Sequence, residues 1–288
     1  MSKIRDALTR SKEEQQQKFG LDSAENSKPS FPSDLPQEVR GLADSLQVVT
    51  PIEYTQHRWS LEGLLTRGAQ EDRLVASEEL KKLCALLMRR NRVASEMSFL
   101  VTSAMPGEGK TFTSVHLAWT LAQATDQQVL LIDADLRSPA AHQMLGAPLS
   151  PGLAECLRGR AEVPQALQRG PVSNLFFLPA GESRENSMGL LTTPALKNLV
   201  TQFSASFDWI IFDSPPILSV SDTLMLSPLV DGVLLVVGAG LSSRESVLKA
   251  RDMLSGSGVL GIILNFAEAR ESYTSYYYQR YQEKKPQK

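Results

Sequence analysis

The sequence predicts an α/β protein built on a doubly wound, mostly parallel β-sheet. Short apolar runs alternate with helical segments over the last two thirds of the chain, which is typical of such sheets. Most of these runs are continuously apolar, as in strands that are buried on both faces. The chain has 288 residues, 42% of them hydrophobic and 22% charged, so a sizeable core is expected.

The chain is predicted to begin with an extension, residues 1–47, that precedes the domain. Residues 2–18 have the spacing of a short helix, whereas residues 20–47 are rich in Ser, Pro and charge and indicate a flexible linker. The domain itself is predicted to span residues 48–269. Apolar residues at helical spacing predict an amphipathic helix near its start, over about residues 74–92.

The rest of the domain alternates between the two kinds of element. The predicted strands are residues 97–103, 128–133, 175–181, 208–213, 231–240 and 259–266. The predicted helices are residues 111–124, 195–207, 222–229 and 242–258. Residues 270–288 show no apolar alternation and are predicted to form a flexible tail beyond the last strand.

The turn after the first strand, AMPGEGKT at residues 104–111, fits the phosphate-loop pattern with Ala104 in the first glycine slot. Small residues let backbone N–H groups surround a β-phosphate, and the following helix adds the positive end of its dipole. Lys110 is suited to bridging the β- and γ-phosphates and Thr111 to binding Mg²⁺; the alternative is a Gly-rich turn that only starts a helix. The predicted ATP-binding residues of this stretch are Ala104, Pro106, Gly107, Glu108, Gly109, Lys110, Thr111 and Phe112.

Two further motifs place acidic residues at the ends of strands. LLIDADLR puts Asp133 at a strand end with Asp135 and Arg137 just beyond, and IIFDSPP puts Asp213 at another. In parallel sheets the ligand binds outside the carboxyl ends of the strands. A single Asp in such a place is usually a helix cap or a turn residue, but three that face one phosphate loop predict a nucleotide triphosphatase or kinase site.

Five of the six tyrosines lie within nine residues of the predicted tail. Without an ATP site, they would be interpreted as rings packed on the domain or as an adhesive surface patch. An ATP site on the same chain favours phosphorylation of this tail. Its five basic and two acidic residues give a charge of +3, which five phosphates of about −1.5 to −2 each would reverse. The predicted phosphorylation sites are Tyr273, Tyr276, Tyr277, Tyr278 and Tyr281.

Composition limits the partners and the compartment. A formal net charge of −2 predicts no nucleic-acid binding, and two cysteines without metal-ligand spacing fit a reducing cytoplasm. No apolar run approaches the ~18 residues that span a bilayer, and no secretory segment is evident at the N-terminus. We expect a cytoplasmic protein that reaches a membrane only through a partner.

The motifs SAMPGEGKT, LLIDADLR and IIFDSPP resemble the Walker A, A′ and B motifs of the bacterial tyrosine kinases, the autokinases of capsule and exopolysaccharide loci. The resemblance covers about residues 95–268, and that family also ends in a tyrosine cluster. It implies Mg-ATP-dependent autophosphorylation, with Lys110 on the phosphates and Asp133 as the base for the tyrosine hydroxyl. The metal ligands that it implies are Thr111, Asp133, Asp135 and Asp213. It also implies that Arg137 lies in the nucleotide site and that Asn265 contacts adenine.

The resemblance also implies partners. Relatives without a fused membrane-spanning part carry a Glu-x-x-Arg-x-x-Arg helix that builds a ring in which each subunit phosphorylates the next. The matching register here is Glu78-x-x-Lys81-x-x-Cys84, which lacks both guanidinium groups. The implied partners are a second copy of the chain and a separate membrane-anchored polysaccharide co-polymerase as activator, at the inner face of the plasma membrane.

Two other functions are compatible with the same fold. One is a partitioning ATPase of the Min/Par kind, which usually has a second lysine early in the loop, where this chain has Met105. The other is a catalytically silent, nucleotide-dependent regulator of polysaccharide synthesis. The complete set of matched site residues argues against the second alternative, and the Asp-x-Asp-x-Arg and Asp-x-Pro-Pro motifs argue against the first.

Overall fold

A computed structural model of the chain describes residues 70–90, 97–183 and 187–267. In these ranges the strands are β1 (Met97–Ser103), β2 (Val129–Asp133), β3 (Gln168–Arg169), β4 (Leu175–Leu178), β5 (Trp209–Asp213), β6 (Gly232–Gly238) and β7 (Val259–Asn265). The helices are α1 (Gln70–Arg90), α2 (Lys110–Ala124), α3 (Ala141–Leu145), α4 (Leu153–Leu157), α5 (Val163–Ala166), α6 (Ser187–Leu191), α7 (Pro194–Ser204), α8 (Asp222–Leu226) and α9 (Arg244–Met253), with a 3₁₀ turn at Ser227–Leu229. The predicted N-terminal extension and the tyrosine tail lie outside the described residues.

The seven strands form one sheet in the order β3-β4-β2-β5-β1-β6-β7. Every neighbouring pair is parallel except β3 and β4, which run antiparallel. The prediction of a doubly wound, mostly parallel sheet is therefore confirmed. The sequence did not predict β3, because two residues carry too little pattern to be recognised as a strand.

The continuous apolar runs bury side chains on both faces of the sheet. In β1, Phe99 and Val101 face one core while Leu100 faces the other, and all three are fully buried. The first core lies under α1 and α2, and the second lies under α7 and α9. Two helical layers thus hold the central strands rigid, and the loops at their carboxyl ends are fixed in place.

The predicted N-terminal helix is confirmed as α1, although it begins four residues earlier than predicted and its description ends at Arg90. Cys84 and Leu87 face the core, and burial raises the pKa of the Cys84 thiol to about 12. Lys81 pairs with Glu78 at 2.7 Å on the same helix. The last position of the ring motif is therefore a core residue in this chain.

None of the helices in the described ranges is both long enough and apolar enough to cross a bilayer.

Candidate active site

The phosphate loop joins β1 to α2 at the carboxyl edge of the sheet. Gly107 and Gly109 have φ angles of 85° and 88°, a left-handed conformation that other residues adopt only with strain. The turn ends where Gly109 accepts the first helical bond, from the backbone N–H of Thr113 at 2.9 Å. Backbone geometry thus strongly favours glycine at these two places.

Glu108 holds this loop against the neighbouring strands. Its carboxylate is fully buried and accepts hydrogen bonds from the backbone N–H groups of Met105 (2.6 Å) and Gly238 (3.0 Å). Its backbone carbonyl accepts a third bond from Asn265 Nδ2 at 3.0 Å. The Glu108 side chain, which was predicted to bind nucleotide, is therefore hydrogen-bonded to the protein backbone. It satisfies two N–H groups and fixes the conformation of the loop.

Gly109→Ala is expected to destabilise the protein more than Gly107→Ala, although both impose the same backbone strain of about 1–2 kcal/mol. A Cβ at Gly109 would overlap the Asn265 side chain, whereas nothing lies within 4 Å of a Cβ at Gly107. Displacing Asn265 also breaks its bond to Glu108, worth about 1 kcal/mol more. Urea unfolding of the two variants measures the difference, and equal losses would contradict the described packing of Asn265.

Lys110 and Thr111 begin α2 beside the acidic residues. Lys110 Nζ lies 3.0 Å from Asp135 Oδ2 and 3.2 Å from Thr111 Oγ1. Burial lowers the pKa of Lys110, but the charges of Asp213 and Asp135 outweigh it and raise the pKa above its ordinary value. The ammonium group is therefore fixed as a cation within the site.

Asp133 and Asp213 are direct neighbours, because they are register partners at the ends of β2 and β5. Both are fully buried. The carboxylate of Asp133 accepts the backbone N–H groups of Asp135 (3.2 Å) and Ala141 (3.1 Å), which fix its orientation. Burial, followed by the charge of Asp213, raises the pKa of Asp133 to about 8, and burial also raises the pKa of Asp213.

Asp213 retains coordinating capacity on one of its oxygens. Oδ1 accepts a hydrogen bond from Ser114 Oγ at 3.2 Å, while the buried Oδ2 has no hydrogen-bond partner among the described residues. No group of three His, Cys, Asp or Glu side chains in these ranges is arranged to hold a metal ion unaided. Mg²⁺ is usually held by one or two carboxylates together with phosphate oxygens and waters, and Asp213, Asp135 and Thr111 fit that donor set.

The raised pKa of Asp133 predicts how its contribution to stability depends on pH. The folded chain retains a proton on this carboxyl that the unfolded chain loses near pH 4, so the contribution is greatest below pH 4 and is lost as pH rises to about 8. Asp133→Asn removes that dependence. The unfolding free energy of the variant relative to the wild type is therefore expected to rise from pH 5 to pH 8 and then level off. Urea unfolding across this range measures the slope, and a flat difference would contradict the raised pKa.

Arg137 is held by Asp222, which was not predicted as a site residue. Its Nε and Nη2 atoms donate to the two oxygens of Asp222, each at 3.1 Å. Asp222 is fully buried and also accepts a bond from Ser187 Oγ at 2.8 Å. Asp222 opens the short helix α8 and resembles an ordinary helix-start residue, so the sequence offered no sign of this contact.

The remaining predicted residues surround the loop. Ala104 is buried beneath it and Pro106 is exposed at its tip. The Phe112 ring stacks on His116 with a centroid distance of 3.8 Å. Asn265, at the end of β7, lies against the loop through Glu108. The structure thus brings the predicted phosphate-loop, Asp and Asn residues to one edge of the sheet.

Comparison with known proteins shows which proteins the chain is similar to. The family model described as an AAA domain matches residues 100–247. The tyrosine-protein kinase YwqD of Bacillus subtilis is 36% identical over 210 residues, which are 69% of this chain and 88% of YwqD. The succinoglycan biosynthesis transport protein ExoP of Rhizobium meliloti is 36% identical over 176 residues, or 59% of this chain, but these are only 22% of ExoP.

Solved structures agree with these relatives. The kinase domain of the Escherichia coli tyrosine kinase ETK is 32% identical with a TM-score of 0.63, over 69% of this chain and 79% of that domain. A cobyrinic acid a,c-diamide synthase from Mycobacterium smegmatis, solved with an ATP analogue and magnesium, shares the fold with a TM-score of 0.52 and 22% identity, over 66% of this chain and 80% of that one. With its motifs, sheet order and near full-length match to YwqD, the chain belongs to the bacterial tyrosine kinase family.

Proposed function

We propose that this protein is a Mg-ATP-dependent tyrosine autokinase that phosphorylates the tyrosines of its own C-terminal tail. The observation that carries the proposal is the convergence of Lys110, Asp133, Asp135 and Asp213 beside one phosphate loop. A second observation supports it, because the same chain carries five tyrosines between residues 273 and 281.

In the proposed reaction the phenolic oxygen of a tyrosine attacks the γ-phosphorus of ATP. A new O–P bond forms while the bond from the γ-phosphorus to the β–γ bridging oxygen breaks, ADP leaves, and the phenol proton passes to Asp133. A carboxylate with a pKa of about 8 is well matched to this role near neutral pH. Its two backbone hydrogen bonds fix the direction in which it can accept the proton.

The other groups position and neutralise charge, which is most of what phosphoryl transfer requires. Lys110 is placed to bind the β- and γ-phosphate oxygens once ATP competes for its contact with Asp135. Thr111, Asp135 and Asp213 would hold a Mg²⁺ ion, which supplies further neutralisation of the phosphate charge when bound. Arg137 is kept in place by Asp222 at the Asp133–Asp135 end of the site.

The tail is proposed to reach the site of a second copy of the chain. Its five basic residues favour its approach to a site lined by three acidic side chains, and phosphorylation reverses the tail's charge and releases it. The core position of Cys84 indicates that such contacts between copies do not use the guanidinium pairs of the ring motif.

A separate membrane-anchored polysaccharide co-polymerase is proposed as the activator, which would place the kinase at the inner face of the plasma membrane. The long relative ExoP, of which this chain matches 22%, is named for succinoglycan biosynthesis and transport, and this supports a role in polysaccharide production.

The proposal is tested by incubating the purified full chain with Mg-ATP and measuring intact mass and phosphopeptides. A variant with all five tail tyrosines changed to Phe, and the single change Tyr54→Phe as a matched control, are treated in parallel. Stepwise gains of one phosphate mass that map to residues 273–281, in the wild type and in the control but not in the five-Phe variant, are expected.

Other outcomes distinguish the alternatives. ATP hydrolysis without any gain in mass indicates a partitioning-type ATPase. If neither hydrolysis nor phosphorylation occurs, the cytoplasmic segments of candidate co-polymerases are added. Phosphorylation that appears only then supports a kinase with a separate activator, and continued inactivity contradicts the autokinase.

A further inference from the structure

The order of the strands fixes the direction in which a nucleotide can lie. The phosphate loop follows β1, while Asp133 and Asp213 end β2 and β5 on one side of it. The reacting γ-phosphate must lie toward those carboxylates. The base of an extended nucleotide then lies on the opposite side, over the ends of β6 and β7, and with strands ~4.8 Å apart β7 is about 10 Å from β1.

An aromatic side chain stands at that place. Phe266 directly follows β7, is 58% exposed, and its Cζ atom lies 3.5 Å from where a Cβ on Gly109 would be. Its φ angle of 56° is the one positive value at a non-glycine residue in the described ranges. A bulky residue with this conformation is strained, and such strain is concentrated at functional sites.

The Asn265 side chain makes two hydrogen bonds that hold the backbone of Phe266 in this conformation. Asn265 Oδ1 accepts the backbone N–H of Phe266 at 3.0 Å, while Nδ2 donates to the carbonyl of Glu108 at 3.0 Å. The amide thus links the phosphate loop to the backbone that carries the ring. One N–H and one lone pair of the amide are left over, which is compatible with the predicted contact between Asn265 and adenine.

We infer that Phe266 is the platform on which the base of the bound nucleotide stacks, an inference that rests on the proposed function because it requires ATP at the phosphate loop. Stacking of an exposed aromatic ring next to the loop on a purine contributes to binding affinity, because every base presents a π face. The side chain then determines the affinity for the nucleoside part of the ligand. Lys110 and the loop determine the affinity for the phosphates.

Calorimetric titration of the full chain with Mg-ATP, Mg-ADP and Mg-tripolyphosphate separates these contributions. Phe266→Ala is expected to weaken ATP and ADP binding by about 5- to 100-fold, the range of stacking on an aromatic side chain, and to leave tripolyphosphate binding unchanged. Phe266→Trp is expected to bind ATP as the wild type does. Leu264→Ala, which removes another exposed apolar side chain from the same strand, is the matched control and should change nothing.

Two results for Phe266→Ala would overturn this inference and leave the proposed function intact. The first is an equal loss of affinity for tripolyphosphate, which would mean that the ring supports the loop. The second is an undiminished affinity for ATP. A failure of Phe266→Trp to restore binding would also count against stacking. A wild-type chain that binds tripolyphosphate but not ATP would overturn both this inference and the proposed function.

Discussion

Lys110→Met is expected to lower the rate of autophosphorylation by roughly 100- to 1000-fold, the usual effect of removing one group that stabilises transition-state charge. The ammonium group lies at the start of α2 and contacts Asp135, and in the proposed reaction it binds the phosphate oxygens. The rate of phosphate incorporation, measured by intact mass at saturating Mg-ATP, tests the expectation.

The same change is expected to destabilise the free protein. The Lys110 and Asp135 side chains are only 13% and 4% exposed, so removal of the cation leaves the buried Asp135 carboxylate without its partner, at a cost of about 3–5 kcal/mol. Adding Asp135→Asn should recover part of this stability and none of the activity. Recovery of activity in the double variant would show that Lys110 acts on the fold and not on the transferred phosphate.

Asp133→Asn is expected to lower the phosphorylation rate by roughly 100- to 10,000-fold, because it removes the proposed base while preserving the shape of the side chain. The wild-type kcat/KM for ATP, which reports groups of the free chain, should rise with pH as the carboxyl of Asp133, with its raised pKa, ionises, and the residual kcat/KM of the variant should lack this rise. Initial rates between pH 6 and pH 9 test both statements.

The matched control for this change is Asp208→Asn. Asp208 directly precedes β5, at the opposite edge of the sheet from Asp213, and its carboxylate also accepts a backbone N–H, from Gln128 at 2.7 Å. Its replacement should leave the rate and the pH profile unchanged. A variant of Asp133 that kept the wild-type pH profile would assign the base to another residue.

The strands and the main helices could be predicted from the sequence because their signal is local. The strand over 97–103 was predicted with the bounds that β1 has, and the other long strands within a few residues. The short elements β3 and α3 to α6 were missed, since two to five residues show no recognisable period. The phosphate loop and the three Asp residues were predictable because each lies in a motif of fixed spacing next to a strand.

The contacts that shape the site could not be predicted in the same way. The hydrogen bond that the Gly238 N–H donates to Glu108 joins residues 130 positions apart, and the pair of Arg137 with Asp222 joins residues 85 positions apart. An acidic residue inside a phosphate loop was a usable signal, because its charge would repel a phosphate unless the side chain turned away. Phe266 gave no such signal, since its positive φ angle and its position beside Gly109 are properties of the folded chain.

Mixing two defective variants is the sharpest test of phosphoryl transfer from the site of one chain to the tail of another. The Lys110→Met chain retains the tail tyrosines, the five-Phe chain retains the site, and the two differ in mass. With Mg-ATP, and with the activator if one is required, we expect phosphate on residues 273–281 of the Lys110→Met chain in the mixture, within an incubation in which neither chain alone gains measurable phosphate. If the wild type is phosphorylated and the mixture is not, transfer between copies of the chain is contradicted. Phosphate gain by the Lys110→Met chain alone at a rate close to that of the wild type would contradict the assigned site.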